Sequence, residues 1–292
     1  MNAVISLPSL HVSSDNDIDF DRRFGGIARL YGDAALARFR RAHICVIGVG
    51  GVGSWVVEAL ARSAIGRITM IDLDNVAESN VNRQIHALTD TIGKAKVTAL
   101  AERIAQINPF CAVREIEDFI TPDNLDDMIG AANYDYVIDA IDSVKAKTAL
   151  IAYCREKGIR LLTIGGAGGQ VDPTKIEIRD LSRTEQEPLL AKVRKRLRAQ
   201  HGFPRGMKNK FGIDAVFSTE PLRFPDAGEA CDIDTDAQTG ITGLNCAGFG
   251  SAMVVTASFG LVAASQVLRK LAAESTKTTP AQDSVAAVDA QV

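Results

Sequence analysis

The stretch Ile44-Cys45-Val46-Ile47-Gly48-Val49-Gly50-Gly51-Val52-Gly53 decides the reading of this chain. A short apolar run bounded by glycine predicts a buried strand. Gly48, Gly50, Gly51 and Gly53 predict a tight turn whose backbone N–H groups can approach a phosphate. A predicted helix over residues 52–63 adds the positive end of its dipole. Asp72 closes the next predicted strand, residues 67–72, about twenty residues further on, where a carboxylate can hold ribose hydroxyls. Alone, this pair suits a nicotinamide dinucleotide as well as ATP.

Outward from that unit the alternation continues. Residues 94–107 read as a helix that stops at Asn108-Pro109. Residues 112–118 and 136–139 read as strands, 145–157 as a helix, and 161–164 as a strand running into Gly165-Gly166-Ala167-Gly168-Gly169. Repeated strand–helix units imply right-handed crossovers, and so an α/β, Rossmann-like, mostly parallel sheet with helices on both faces. Past Asp172-Pro173, predicted strands at 175–180 and 215–218 flank a basic stretch, and residues 224–245 lack periodicity. This half is expected to extend the same sheet as a C-terminal mixed part.

Composition bounds the function. The chain has 292 residues, 46% apolar and 24% charged, with a net charge of −3. These values exclude a disordered, collagen-like or coiled-coil protein and a basic nucleic-acid coat, and no DNA partner is implied. The five cysteines, at 45, 111, 154, 231 and 246, include no C-x₂-C pair. Zinc-knuckle spacing is therefore absent, and the scattered set points to a reducing, cytoplasmic setting. Residues 1–21 carry no signal-peptide pattern and read as a disordered arm; 272–292 read as a disordered tail. Between them, 22–271 form one domain, with a nucleotide-binding part near 40–170 and a substrate-facing part near 171–271. Residues 247–268 lack charge and are long enough to cross a bilayer. Their glycines and hydroxyls favour a buried core helix over membrane association.

A second constellation selects ATP. Asp72-Leu73-Asp74 is followed by Ser79-Asn80-Val81-Asn82-Arg83-Gln84, then Gly93-Lys94-Ala95-Lys96, and later Asp139-Ala140-Ile141-Asp142. Arg83 can fork onto phosphate oxygens and Lys96 can neutralise charge developing on them. Asp142, at a strand end, can hold Mg²⁺ through one carboxylate. A nicotinamide site has no use for that set.

With these motifs in place, the chain resembles the ubiquitin-activating-enzyme-like superfamily of adenylating enzymes, from about residue 22 to 169. The resemblance implies transfer of AMP to a carboxylate. It implies Asp72 on the ribose with Asp74 beside it, Asn80 and Arg83 on phosphates, Lys96 as the lysine after the glycine, and Asp142 as the metal ligand. Two departures stand out. Many relatives carry R-Y-x-R-Q near the start, whose second arginine enters the partner subunit's site; here the words are Arg23-Phe24-Gly25-Gly26, leaving Arg22, Arg23 and Arg29 as candidate replacements. The zinc knuckles usual in carrier-activating relatives are missing. The leading alternative is nonetheless adenylation of the C-terminus of a ubiquitin-like or sulfur-carrier protein.

Longer words sharpen the likeness: Arg23-Phe24-Gly25-Gly26-Ile27-Ala28-Arg29-Leu30-Tyr31-Gly32, Asn82-Arg83-Gln84-Ile85-His86-Ala87-Leu88, Val216-Phe217-Ser218-Thr219-Glu220 and Asn245-Cys246-Ala247-Gly248-Phe249-Gly250-Ser251. These, with the stretch from Gly165 to Pro173, are similar to the branch that dehydrates threonylcarbamoyladenosine beside the tRNA anticodon. The likeness spans about residues 22–271. It implies a homodimer, possible contact with a cysteine-desulfurase sulfur-acceptor system, and importance for the cysteine matching Cys246. That residue stands at a loop-to-helix junction, where a thiol is acidified. Cys231 is the second choice. Residues 188–213 contain no acid and carry Lys192, Arg194, Lys195, Arg196, Arg198, Arg205, Lys208 and Lys210. Such a stripe in an acidic protein is the footprint of RNA phosphates, with Phe203 and Phe211 placed to stack on unpaired bases. The competing reading is an amphipathic helix with Leu189, Leu190, Val193 and Leu197 on its core side.

Overall fold

The computed structural model describes residues 18–206, 208–224 and 249–275. Its elements run α1 (Phe20–Tyr31), α2 (Asp33–Arg41), β1 (His43–Ile47), α3 (Gly53–Arg62), β2 (Arg67–Ile71), α4 (Lys96–Ile107) and β3 (Ala112–Ile116). They continue with β4 (Tyr136–Asp139), α5 (Val144–Glu156), β5 (Leu161–Ile164), β6 (Ile176–Asp180), α6 (Pro188–Gln200), β7 (Asp214–Ser218) and α7 (Met253–Ser275). The seven strands form one sheet in the order β3-β2-β1-β4-β5-β7-β6. All pairs are parallel except β6 with β7, which is antiparallel, so the C-terminal half does extend the sheet as a mixed part.

Each face of the sheet buries its own core. Ile44, Val46, Ile68, Met70 and Ile138 pack under α2, α3, α4 and α7. Cys45, Ile47, Val137, Ala215 and Phe217 pack under α5 and α6. This alternation along β1 is the period-2 pattern of a strand covered on both sides.

Three boundaries depart from expectation. Residues 20–21, expected in the N-terminal arm, belong to α1, because the Asp19 carboxylate accepts from the Asp21 and Arg22 N–H groups and starts the helix at Phe20. Helix α4 starts at Lys96 rather than residue 94, because 91–95 form turns that return Gly93 N–H to Val76 O. The uncharged stretch becomes α7, which starts at Met253 and continues to Ser275, past the expected limit of 271. This helix is long and apolar enough to cross a membrane, with a mean hydropathy of 1.2. In the fold it buries Val255, Phe259, Ala263, Val267 and Leu271 against α2 and α3. A Cβ at Gly260 would stand 2.6 Å from Val52 O and 2.8 Å from Trp55 Cβ, so glycine is what lets the two backbones approach.

Candidate active site

Strand order reverses between β1 and β4, and crevices at such switch points, outside the carboxyl ends of parallel strands, are where ligands bind. Here that crevice is a cavity of about 430 Å³. Gly48, Gly50 and Gly51 line it after β1, Asp72 and Asp74 after β2, and Asp118, Phe119 and Ile120 after β3. Ala140 to Ser143 follow β4, and Gly165 to Gly168 follow β5. Arg83, Gln84 and Lys96 close the side wall, with Ser251 and Thr256 near the start of α7.

Asp72 is buried, and both its oxygens accept backbone N–H groups: Val49 at 2.8 Å and Asp74 at 3.0 Å. One carboxylate thus ties the glycine turn to the end of β2. Burial raises its pKa above the ordinary carboxylate value, while Lys96 and the two N–H donors oppose the rise. Lys96 is buried and donates from Nζ to Asp74 Oδ2 at 2.7 Å, whereas Asp74 is exposed. The Arg83 stem crosses Gly51, and its Nη1 donates to Ser79 O and Asn82 Oδ1. Its own carbonyl accepts from Trp55 Nε1 at 2.9 Å, pinning the segment to α3. Asn82 joins the same segment to α7, donating from Nδ2 to Ser251 O and accepting from the Met253 N–H. Asp142 is exposed in the cavity wall and makes no hydrogen bond or ion pair among the described residues.

Beneath the cavity lies a fully buried ion pair: Lys147 Nζ is 2.8 Å from Asp139 Oδ2. Lys147 also donates to Ile164 O and Thr163 Oγ1, and Thr163 donates to Asp139. A buried pair of this kind is tolerated when its remaining valences are satisfied, and here it joins the ends of β4 and β5.

The cavity gathers most of the residues expected from sequence: Gly48, Gly50, Gly51, Asp72, Asp74, Arg83, Lys96 and Asp142. Gly53 and Asn80 do not line it. A Cβ at Gly53 would overlap Gly48 O, so this glycine serves close packing of α3 on the turn. Asn80 is buried and accepts the Ala77 N–H, shaping its own turn. Cys231 and Cys246 lie outside the described residues. Of the arginines considered near the start, Arg23 is spent on the C-terminal carbonyls of α4, those of Gln106 and Ile107. Gln84, Phe119, Ile120, Ser251 and Thr256 were not anticipated; the strand-end rule applied to β3 would have found the second and third.

The basic stripe divides. Helix α6 buries Leu189, Leu190, Val193 and Leu197 and exposes Lys192, Lys195 and Arg196; Arg205, Lys208 and Lys210 are exposed on the following loop. Arg194 and Arg198 turn inward, Arg194 donating to Thr184 and Arg198 to Pro204 O. Base stacking by Phe203 and Phe211 is ruled out in this fold. Both rings are buried, 4.9 Å apart and edge to face, with Arg155 over one and Arg198 over the other. Their aromatic area closes the second core instead.

The chain belongs to the ThiF family, which it matches over residues 22–290. Within that class it is similar to the tRNA threonylcarbamoyladenosine dehydratase of Haemophilus influenzae, at 56% identity over 254 residues, 87% of this chain and 94% of that one. The solved structure of the Escherichia coli tRNA N6-threonylcarbamoyladenosine dehydratase, TcdA, in complex with ATP matches at a TM-score of 0.79. It is 51% identical, covering 91% of this chain and 99% of that one. The AMP complex of that enzyme also matches at 0.79, with 52% identity over 90% of this chain and 98% of that one.

Proposed function

We infer that this chain catalyses the ATP-dependent dehydration of threonylcarbamoyladenosine in tRNA, next to the anticodon. The observation that carries the reading is the switch-point cavity itself, where Asp72, Arg83, Lys96 and Asp142 stand around one space. The threonyl carboxylate attacks the α-phosphorus of ATP, and the bond to pyrophosphate breaks. The neighbouring carbamoyl group then attacks the acyl carbon and loses a proton, and AMP departs. The sum is a ring and the loss of one water.

In this reading Asp72 holds the ribose hydroxyls and the glycine turn meets the phosphates. Arg83 and Lys96 stabilise charge that grows on the phosphate oxygens. Lys96 is preorganised by Asp74 and Arg83 by the Ser79 carbonyl, so little reorganisation is needed at the moment of reaction. The residues fit a magnesium ion. Among the described residues Asp142 offers an unpartnered hard oxygen donor in the cavity, and no cluster of three or more His, Cys, Asp or Glu could cage a metal alone. That donor set suits Mg²⁺, which is commonly held by one or two carboxylates together with substrate phosphates. When bound, the ion would neutralise phosphate charge and favour pyrophosphate as a leaving group.

Cys246 is proposed to receive the acyl group as a thioester or to shape the pocket. The exposed cations of α6 and its following loop are proposed to meet tRNA phosphates. Exposed apolar residues on α7, Val254 and Leu261, support the homodimer. The free thiols Cys45, Cys111 and Cys154 support a reducing, cytoplasmic setting. A sulfur-acceptor partner rests on the resemblance alone.

The test is AMP release from ATP·Mg²⁺ with tRNA bearing threonylcarbamoyladenosine and with unmodified tRNA, the nucleoside being weighed afterwards. AMP formed only with the modified tRNA, and a product lighter by one water, is the expected result. Pyrophosphate exchange driven by a Gly-Gly-tailed carrier, without tRNA turnover, would overturn the reading. A Cys246→Ser variant with unchanged AMP release and ring closure would remove the thioester.

A further inference from the structure

Glu187 is 4% exposed, carries no ion pair among the described residues, and belongs to none of the motifs above. It caps the N-terminus of α6, where its carboxylate accepts the Leu189 and Leu190 N–H groups. N-capping by itself is ordinary. The third bond is not: Oε1 also accepts the Gly166 N–H at 2.9 Å, from a residue in the cavity wall. The approach is close enough that a Cβ on Gly165 would lie 2.9 Å from Glu187 Cγ.

The glycine wall after β5 is held at several other points. Lys147 Nζ donates to Ile164 O at 3.0 Å, the Gly165 N–H donates to Val216 O, and the Gly169 N–H donates to Gly250 O. Between these anchors, Ala167 and Gly168 line the cavity, and their N–H groups find no acceptor among the described residues. Backbone donors left open in a site that must hold an acyl phosphate are of use only where they are fixed in place. The same helix that Glu187 caps contributes Leu189 to the cavity wall and carries Lys192, Lys195 and Arg196 on its outer side.

We propose that Glu187 is a positioning residue that locks the 165–168 wall to the N-terminus of α6, so that the cationic face and the reacting centre form one rigid unit. The inference rests on the dehydratase reading for its substrate, but not for its geometry. Glu187→Gln keeps the shape and replaces one accepting oxygen with an N–H₂ group, so the three bonds can no longer all form. Glu187→Asp keeps the acceptors on a shorter stem.

Two measurements test it on the full-length protein. The first is amide hydrogen exchange. In Glu187→Gln, exchange across 165–169 is expected to rise about tenfold while the Gly48–Gly53 turn is unchanged; this readout needs no substrate. The second is steady-state AMP release with modified tRNA. Here kcat is expected to fall about 10–100-fold with KM for ATP and for tRNA within about twofold of wild type, and Glu187→Asp to recover most of the loss. Unchanged exchange at 165–169, or a folded Glu187→Gln protein with wild-type kcat, would overturn the proposal. So would loss of ATP affinity in step with kcat, which marks a general structural defect. A wild-type protein silent on modified tRNA would sink the dehydratase reading instead, and the exchange result would then stand on its own.

Discussion

His86 is a single side chain whose burial contributes to the response of the fold to acid. It is 2% exposed, and neither ring nitrogen has a hydrogen-bond partner among the described residues. Burial lowers its pKa to about 4, with Lys96 and Arg103 adding to the effect. At pH 7 the imidazole is neutral in both folded and unfolded chains. Below the unfolded value of 6.5 only the unfolded chain takes the proton, until the folded ring follows near pH 4. Stability should therefore fall through that window by about 3 kcal/mol from this residue, and level off below it. His86→Leu removes a polar group that has no partner to lose among the described residues. Denaturant titrations from pH 7.5 to 4 should show it at least as stable as wild type at neutral pH, with a shallower acid decline; parallel curves would contradict the assignment.

Among the elements, α7 is the one whose character was hardest to read. Its sequence satisfies the length and hydropathy of a membrane span, and only its small residues argued for burial. The structure gives that signal a specific cause at Gly260, where α7 meets the backbone of α3. Gly260→Val should lower stability by about 3 kcal/mol through overpacking, seen as a drop in the thermal midpoint, with Ser258→Ala as a near-neutral control on the half-buried side of the same helix. Strand existence and order of use were legible because β1, β2, β4 and β5 are short apolar runs that end in chemistry: Gly48, Asp72, Asp139 and Gly165. The gathering of Arg83, Lys96 and Asp142 around one cavity was legible because a guanidinium, an ammonium and a carboxylate in that order suit the phosphates of ATP and not a nicotinamide. Glu187 and Lys147 were not, because the contacts that tie them to the cavity wall, Glu187 with the Gly166 N–H and Lys147 with Ile164 O, span many residues, and no local pattern records such a partner. Phe203 and Phe211 misled for the same reason. Aromatic residues among cations look like an RNA surface until the second core is seen to need them.

At the scale of the whole molecule, charge is unevenly placed. The chain is net negative, yet Lys192, Lys195, Arg196, Arg205, Lys208 and Lys210 are all exposed on α6 and the loop that follows it. Replacing Lys192, Lys195 and Arg196 together with alanine should weaken tRNA binding about tenfold or more at 0.1 M salt. It should also reduce the slope of log affinity against log salt by about 2–3, because that many phosphates are no longer neutralised. Filter binding across a salt series would read both; an unchanged slope would place the RNA elsewhere. The apparent KM for ATP should be unaffected, since none of the three residues lines the cavity.

The sheet order has a further consequence for the history of each molecule. Strand β1 sits between β2 and β4, but β4 is translated only after α3, β2, α4 and β3. While the chain emerges from the ribosome, β1, β2 and β3 can pair at once, and the flank of β1 destined for β4 stays open. That flank is a row of backbone N–H and C=O groups, and the glycine turn follows it at Gly48. A nascent chain that pairs β1 with β2 before β4 emerges would expose the β1 side of the future crevice as an unpaired strand edge, the kind of surface that captures other chains. Slow decoding between residues 116 and 136 would prolong that stage, and the yield of native protein at high expression should depend on how quickly β4 arrives.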